Sequence, residues 1–82
     1  MKNLIITEPA KAMLKKLPPA VQKKAKKQLL LLVQNLNHPS IRAKKYDEAN
    51  DIWQGRIDKA YRFYFTIEGD TYFVHSFKEH PK

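Results

Sequence analysis

The chain has 82 residues, enough for one small domain and too few for an enzyme with separate substrate and cofactor domains. Its 43% hydrophobic content and its two glycines are typical of a folded globule rather than a disordered chain. The absence of cysteine excludes disulfides, thiolate catalysis and cysteine zinc sites, and a reducing cytoplasm is the expected location. No apolar run reaches the roughly 18–20 residues of a membrane span, and the first apolar stretch is too short for a signal peptide.

The net charge is +8, from 16 basic and 8 acidic residues. Residues 1–41 carry eight lysines and one acid, a net +7, whereas residues 42–82 carry eight basic and seven acidic groups, a net +1. A surplus of this size favours a polyanion or an acidic protein as the partner. The lysines of the first half are interpreted mainly as a solvated helix face that also attracts polyanions without specificity.

The first half of the chain predicts one strand and two helices. Residues 4–6 are apolar and form the strand, and Thr7 can cap a helix with Glu8 and Pro9 in its first turn. A pair of prolines, 18 and 19, ends this helix and starts a second one over residues 19–37. Both helices carry apolar residues at helical spacing: Ala10, Met13, Leu14 and Leu17 in the first, and Val21, Ala25, Leu29, Leu32 and Leu36 in the second.

The second half predicts a loop over residues 41–50 and then three strands over residues 52–57, 61–67 and 71–77, with a tail over 78–82. Turns at 58–60 and 68–70 join the strands as a meander. The fold class is therefore α+β, in the order β-α-α-β-β-β, with a four-stranded, mainly antiparallel sheet and a two-helix hairpin on one face. We expect residues 1–82 to form a single domain.

The strand over residues 61–67 alternates in a way that predicts a site. Tyr61, Phe63, Phe65 and Ile67 share one face and must point at the helices, so Arg62 points to the open face. Arg56 can lie beside Arg62 across the short turn, and two guanidiniums together form a phosphate-binding surface. The alternative is that both arginines are simply solvated or pair with acids, of which the nearest are Asp51, Asp58 and Glu68.

Two other residue types bear on function. His80 follows the last strand and offers a group that exchanges protons near neutral pH, unless it is only an exposed tail residue. Tyr64 shares the face of Arg62 and can stack on a base, whereas most other aromatic residues are needed for the core. His38 and His75 are interpreted as structural or exposed, and three scattered histidines without acidic ligand spacing predict no metal site.

Three segments of the second half stand out: Ile52-Trp53-Gln54-Gly55-Arg56-Ile57, Tyr61-Arg62-Phe63-Tyr64-Phe65 and the closing Lys78-Glu79-His80. Together with the element order, they resemble the RelE/ParE superfamily of bacterial toxins. The nearest branch is that of the YoeB-like toxins. As topology the resemblance covers the whole chain, and its specific motifs lie between Trp53 and His80. The chain carries Ala43 and Pro81 where close relatives carry a glutamate and an aromatic residue.

The resemblance implies the toxin of a type II toxin–antitoxin pair, which enters the ribosome and cuts mRNA without a metal or cofactor. In this chemistry a ribose 2′-hydroxyl attacks the adjacent phosphate, leaving a cyclic phosphate and a free 5′-hydroxyl. Arg62 would bind the phosphate, Arg56 would add a second contact, and His80 would act as general acid or base. Lys59 and Lys78 would contact the RNA backbone.

Two alternatives remain open from the sequence: a ParE-like inhibitor of DNA gyrase, which shares the fold, and a basic nucleic-acid-binding domain without catalysis. For a toxin of either kind, mRNA-cleaving or ParE-like, the expected protein partner is an acidic antitoxin that wraps the domain as a partly disordered segment. Neither a membrane nor a small-molecule cofactor is expected.

Overall fold

The computed structural model describes residues 2–80 and shows an α+β fold with two helices on one face of a five-stranded mixed sheet. The elements in chain order are β1 (Asn3–Ile6), α1 (Glu8–Lys16), α2 (Pro19–Gln34), β2 (Lys44–Asp47), β3 (Ile52–Arg56), β4 (Tyr61–Glu68) and β5 (Thr71–Glu79). The strands lie in the order β1-β5-β4-β3-β2. Strand β1 runs parallel to β5, and the other neighbours are antiparallel. The predicted fold class is confirmed, but the predicted count of four strands is wrong.

The additional strand is β2, in the segment predicted to be a loop. Its sequence, Lys-Lys-Tyr-Asp, has none of the β-branched residues or apolar alternation from which strands are predicted. It becomes a strand because Lys44 and Lys45 pair with Gln54 and Trp53 of β3. The pairing is irregular between Lys45 and Asp47, so Tyr46 stands at a bulge on the edge of the sheet.

Local capping sets the limits of the helices. The Thr7 side chain accepts a hydrogen bond from the Ala10 amide and so caps α1, as predicted. Helix α2 ends at Gln34, three residues earlier than predicted. The cause is Asn35, which is extended and whose side chain accepts a hydrogen bond from the Asn37 amide at 3.0 Å. This local bond competes with continuation of the helix.

The core lies between the helices and one face of the sheet. Its fully buried side chains include Phe63 and Phe65 of β4 and Leu32 of α2. The predicted alternation of β4 is confirmed, because Arg62 and Tyr64 lie on the opposite face. Most of the other aromatic residues lie in or against the core, as predicted; Phe73 does not, because its neighbours in β5, Tyr72 and Val74, take the core face.

Strand β5 continues to Glu79, two residues beyond its predicted end. Lys78 and Glu79 pair with Arg62 and Tyr61 of β4, so part of the predicted tail is regular sheet. The extension brings His80 to the end of the sheet instead of leaving it in a free tail. Pro81 and Lys82, the rest of that tail, lie outside the described residues. Within residues 2–80, no helix is long and apolar enough to cross a membrane.

Candidate functional site

Basic side chains cross the open face of the sheet in one row. Arg56 of β3 pairs with Arg62 of β4, which in turn pairs with Lys78 of β5. Because residues directly opposite on neighbouring strands project to the same side, these three side chains share the face that the helices do not cover. The expected proximity of Arg56 and Arg62 is therefore confirmed.

The Arg62 guanidinium is held by backbone carbonyls of the turn between β3 and β4. One terminal nitrogen, Nη1, donates to the carbonyl oxygens of Asp58 at 2.5 Å and Tyr61 at 2.9 Å, and lies 3.4 Å from that of Lys59. Among residues 2–80 neither Arg62 nor Arg56 has a carboxylate within 4 Å. The alternative that these arginines are neutralised by nearby acids therefore does not hold, and their charge remains for a ligand.

Asp58 organises this turn with its side chain. Its Oδ1 accepts hydrogen bonds from the amides of Ala60 at 2.8 Å and Tyr61 at 3.0 Å, and its Oδ2 lies 3.4 Å from Lys24 Nζ. Partial burial by itself raises the pKa of the Asp58 carboxyl, but the two amides and the Lys24 ammonium outweigh it, so the pKa is lowered. Asp58 is thus a charged acceptor that fixes the carbonyls to which Arg62 is bound.

The same turn places His80. The His80 amide donates to the Ala60 carbonyl at 2.5 Å, which ties the end of β5 to the β3–β4 turn. Its exposed side chain lines the same concavity as Arg56 and Arg62. The three residues predicted to be catalytic are therefore brought to one place, whereas their individual roles stay predictions.

The concavity has a volume of about 250 Å³ and is lined by Arg42, Lys44, Gln54, Arg56, Arg62 and His80. We call it the cationic concavity. Four of the six lining residues, three arginines and a lysine, are cationic and none is acidic, so the concavity has the charge that suits an anion such as a phosphate group. Three of the six are new relative to the sequence prediction, because Arg42 and Lys44 lie in the presumed loop and Gln54 carries no catalytic signal.

The backbone of Arg42 explains how the segment before β2 reaches the site. Arg42 has a φ of 49°, in the left-handed region that residues other than glycine seldom adopt. The Ile41 carbonyl accepts a hydrogen bond from the Arg56 amide at 2.7 Å, which anchors the segment to β3. Ala43 packs against the core, and its neighbours Arg42 and Lys44 line the concavity. A methyl group thus occupies the position at which the resemblance expects a glutamate.

The predicted RNA-binding residues divide into two groups. Lys59 is exposed in the β3–β4 turn and does not line the cationic concavity. Tyr64 and Lys78 lie beside each other on the open face, with Lys78 Nζ 5.8 Å from the centre of the Tyr64 ring. The Tyr64 hydroxyl accepts a hydrogen bond from Gln54 Nε2 at 3.0 Å, which connects it to the concavity. Their roles in RNA binding stay predictions.

The other two histidines do not enter the cationic concavity. His38 Nδ1 lies 2.9 Å from the Ser40 hydroxyl and accepts from the Ser40 amide, so it organises the loop after α2. His75 Nε2 lies 2.8 Å from the Thr66 hydroxyl on the open face. Within the described part of the chain, no three histidine, aspartate or glutamate side chains are grouped so as to hold a metal ion.

Solved structures show which proteins share this architecture. The YoeB dimer from Staphylococcus aureus is 18% identical, with a TM-score of 0.79 and coverage of 98% of both chains. The toxin of the intact Escherichia coli RelBE toxin–antitoxin complex is 18% identical over 100% of both chains, with a TM-score of 0.75. A YoeB/ParE toxin from Agrobacterium tumefaciens is 13% identical, with a TM-score of 0.77 over 96% of this chain and 99% of that one.

At these identities the likeness establishes the fold. No protein-family model matches the chain, and no curated protein matches it at a significant level. The predicted likeness to the RelE/ParE superfamily, whose YoeB-like members are among these neighbours, is therefore confirmed at the level of the fold.

Proposed function

Since the chain shares the fold of the RelE, YoeB and ParE toxins, we propose that it is the toxin of a type II toxin–antitoxin pair and cleaves mRNA in the ribosome. The observation that carries the proposal is the cationic concavity, in which Arg56, Arg62 and His80 meet and none of the lining residues is acidic. Fold alone does not assign an activity, so this constellation carries the argument.

The reaction needs charge stabilisation and two proton movements. A bond forms between the ribose 2′-oxygen and the adjacent phosphorus while the bond from phosphorus to the 5′-oxygen breaks. The 2′-hydroxyl loses a proton, the departing 5′-oxygen gains one, and the products are a 2′,3′-cyclic phosphate and a free 5′-hydroxyl. Negative charge develops on the phosphoryl oxygens, where preorganised cations contribute most.

The described residues fit these demands. Arg62 is held through Nη1 by the β3–β4 turn, so its remaining donors are preorganised for a phosphate, and Arg56 lies opposite in register. Of the side chains that line the concavity, only His80 belongs to a type that exchanges protons near neutral pH. His80 therefore takes one of the two proton transfers, and Arg42 and Lys44 bind the flanking backbone.

The proposed protein partner is an acidic antitoxin. The E. coli neighbour was solved as a toxin–antitoxin complex. In this chain the basic surplus is concentrated in residues 1–41, where the lysines of α1 and α2 are exposed. Helix α2 also presents an apolar side chain to solvent, that of Leu30, which is 62% exposed. An acidic amphipathic segment matches this combination of charge and apolar surface.

The test is primer extension on a defined mRNA, incubated with the purified protein in the presence and absence of programmed ribosomes. We expect cleavage within the codon exposed in the decoding site, and 5′-hydroxyl and cyclic-phosphate ends on the products. Intact mRNA under all conditions would contradict the proposal. DNA breaks that depend on gyrase, with translation unaffected, would assign the protein to ParE-like function instead.

A further inference from the structure

A second cleft lies next to the cationic concavity on the open face of the sheet. It has a volume of about 380 Å³, and Tyr46, Ile52, Tyr64, Thr66, His75 and Lys78 contribute to its lining. We call it the aromatic cleft. Its walls are mainly apolar, none of its lining residues is acidic, and its size lies within the range of small-ligand sites.

The two ends of this cleft are built by irregularities in the sheet. Tyr46 stands at the β2 bulge, 61% exposed, and contacts Tyr64 edge-on with ring centres 4.9 Å apart. His75 is the extra residue at a second irregularity, where β5 slips against β4 between Tyr64 and Phe65. Its Nε2 is engaged by the Thr66 hydroxyl, which leaves the other ring nitrogen for a ligand. Bulges of this kind commonly redirect side chains at functional sites.

The aromatic cleft adjoins the cationic concavity, because Tyr64 of the cleft is hydrogen-bonded to Gln54 of the concavity. Tyr64 follows Arg62 by two residues on the same face, a separation of about 6.6–6.8 Å along the strand. Lys78 of the aromatic cleft lies over the Tyr64 ring and pairs in the sheet with Arg62, which lines the concavity. A nucleotide whose phosphate lies at Arg62 therefore has this cleft within reach of its base.

We propose that the aromatic cleft binds one unpaired base of the RNA strand whose phosphate occupies the cationic concavity, an inference that rests on the proposed function. Single-stranded RNA is recognised by aromatic rings that stack on splayed bases and by polar groups that meet base edges. Tyr46 and Tyr64 supply the rings, His75 supplies the polar edge, and Lys78 supplies the adjacent charge. A protein segment fits less well, because the cleft lies beside the cationic concavity, in which the proposed function places a phosphate.

The probe is a trinucleotide with 2′-O-methyl riboses, which cannot be cleaved, and the same trinucleotide without its central base. Side-chain NMR shifts of the full-length protein are followed during titration with each. The complete trinucleotide is expected to shift Tyr46 and His75 together with Arg56 and Arg62, whereas the abasic one shifts only the two arginines. Tyr46→Leu should weaken binding of the complete trinucleotide by about 5- to 100-fold and leave abasic binding unchanged. Ile5→Ala, which alters an exposed side chain on the far edge of the same face, should change neither.

The outcomes separate this inference from the proposed function. If millimolar trinucleotide gives no base-dependent shift at Tyr46 or His75, the base site is overturned, whether or not the arginines respond. If the arginines fail to respond to either probe, the phosphate site of the proposed function is overturned instead. Shifts at the cleft with an acidic antitoxin, but not with the trinucleotide, would assign the cleft to a protein and overturn the base site.

Discussion

Asp58 provides the most informative perturbation of the site, because it belongs neither to the lining of the concavity nor to the core. Replacing it with alanine removes the acceptor for the amides of Ala60 and Tyr61. The same turn holds Arg62 through its carbonyls and His80 through the Ala60 carbonyl. Asp58→Ala should therefore loosen both proposed catalytic side chains, whereas Asp58→Asn keeps an oxygen in the position of Oδ1.

The expected loss of stability in Asp58→Ala follows from the hydrogen bonds that the substitution removes. A hydrogen bond to a charged acceptor contributes about 1.5–3 kcal/mol, and the side chain of Asp58, at 21% exposure, is partly open to water, which reduces that value. We expect Asp58→Ala to lower the free energy of unfolding by about 1–3 kcal/mol and Asp58→Asn by less than about 1 kcal/mol. A displacement of a catalytic group by about 1 Å can cost on the order of 100-fold in rate. The single-turnover cleavage rate of Asp58→Ala should thus fall about 10- to 100-fold.

The assay pairs urea unfolding with single-turnover cleavage of ribosome-bound mRNA for both variants. Asp58→Asn should keep the rate within about threefold of the unsubstituted protein, since the turn is retained. If Asp58→Ala also keeps that rate, the turn does not position the site. If Asp58→Asn loses as much rate as Asp58→Ala, the charge of Asp58 rather than its acceptor geometry is responsible.

The lowered pKa of Asp58 gives this effect a defined pH dependence. Because the folded-state pKa is below the unfolded-state value of 3.8, the ionised carboxylate stabilises the fold at higher pH. The difference in unfolding free energy between the unsubstituted protein and Asp58→Ala should be complete above the unfolded-state pKa. It should decline as the pH falls through the lower folded-state pKa. A difference that grows on acidification would contradict this account of the turn.

Three further predictions follow from packing and charge. Gly55→Ala should lower the free energy of unfolding by about 1–3 kcal/mol, because the Cβ of the new alanine would lie within 3 Å of three ring atoms of Phe63. Unchanged stability in urea unfolding would contradict the close packing of Phe63 on Gly55. Gln28→Leu should lower the free energy of unfolding by about 1–3 kcal/mol, because Gln28 Nε2 donates hydrogen bonds to the carbonyls of Ser40 and Arg56. A loss of less than about 0.5 kcal/mol in urea unfolding would show that these two hydrogen bonds do not stabilise the fold. If four cations of the concavity each meet one phosphate, the affinity for single-stranded RNA should fall with a log–log salt slope of about −3, and a slope near zero would exclude phosphate binding.

The part of the site that the sequence predicts follows from the two-residue periodicity of β4 and the short turn before it. The alternation of Tyr61 through Ile67 predicted that Arg62 points away from the helices, and the short turn after Arg56 predicted that Arg56 can lie beside it. Their exact register is known only from the structure. Both inferences depend only on the two-residue repeat of a strand and on the length of a turn. Local patterns of this kind are visible in one sequence.

The parts that were missed depend on contacts between distant segments. Strand β2 forms only against β3, so Arg42 and Lys44 carried no local signal of their place at the site. The extension of β5 to Glu79 requires its partner Tyr61, and without that extension His80 remained an apparent tail residue. Pairing of this kind overrides weak local preference, which one sequence does not reveal.

The central claim is that Arg62 and His80 act on one phosphodiester, and single-turnover cleavage of ribosome-bound mRNA tests it most directly. Arg62→Ala should lower the rate by about 10²–10³-fold and His80→Gln by about 10²–10⁴-fold, with both proteins folded by circular dichroism. Lys16→Ala, which removes one exposed charge from the helical layer, is the matched control and should cleave at the unaltered rate. If the Arg62 and His80 variants cleave at the rate of Lys16→Ala, the concavity is not the catalytic site.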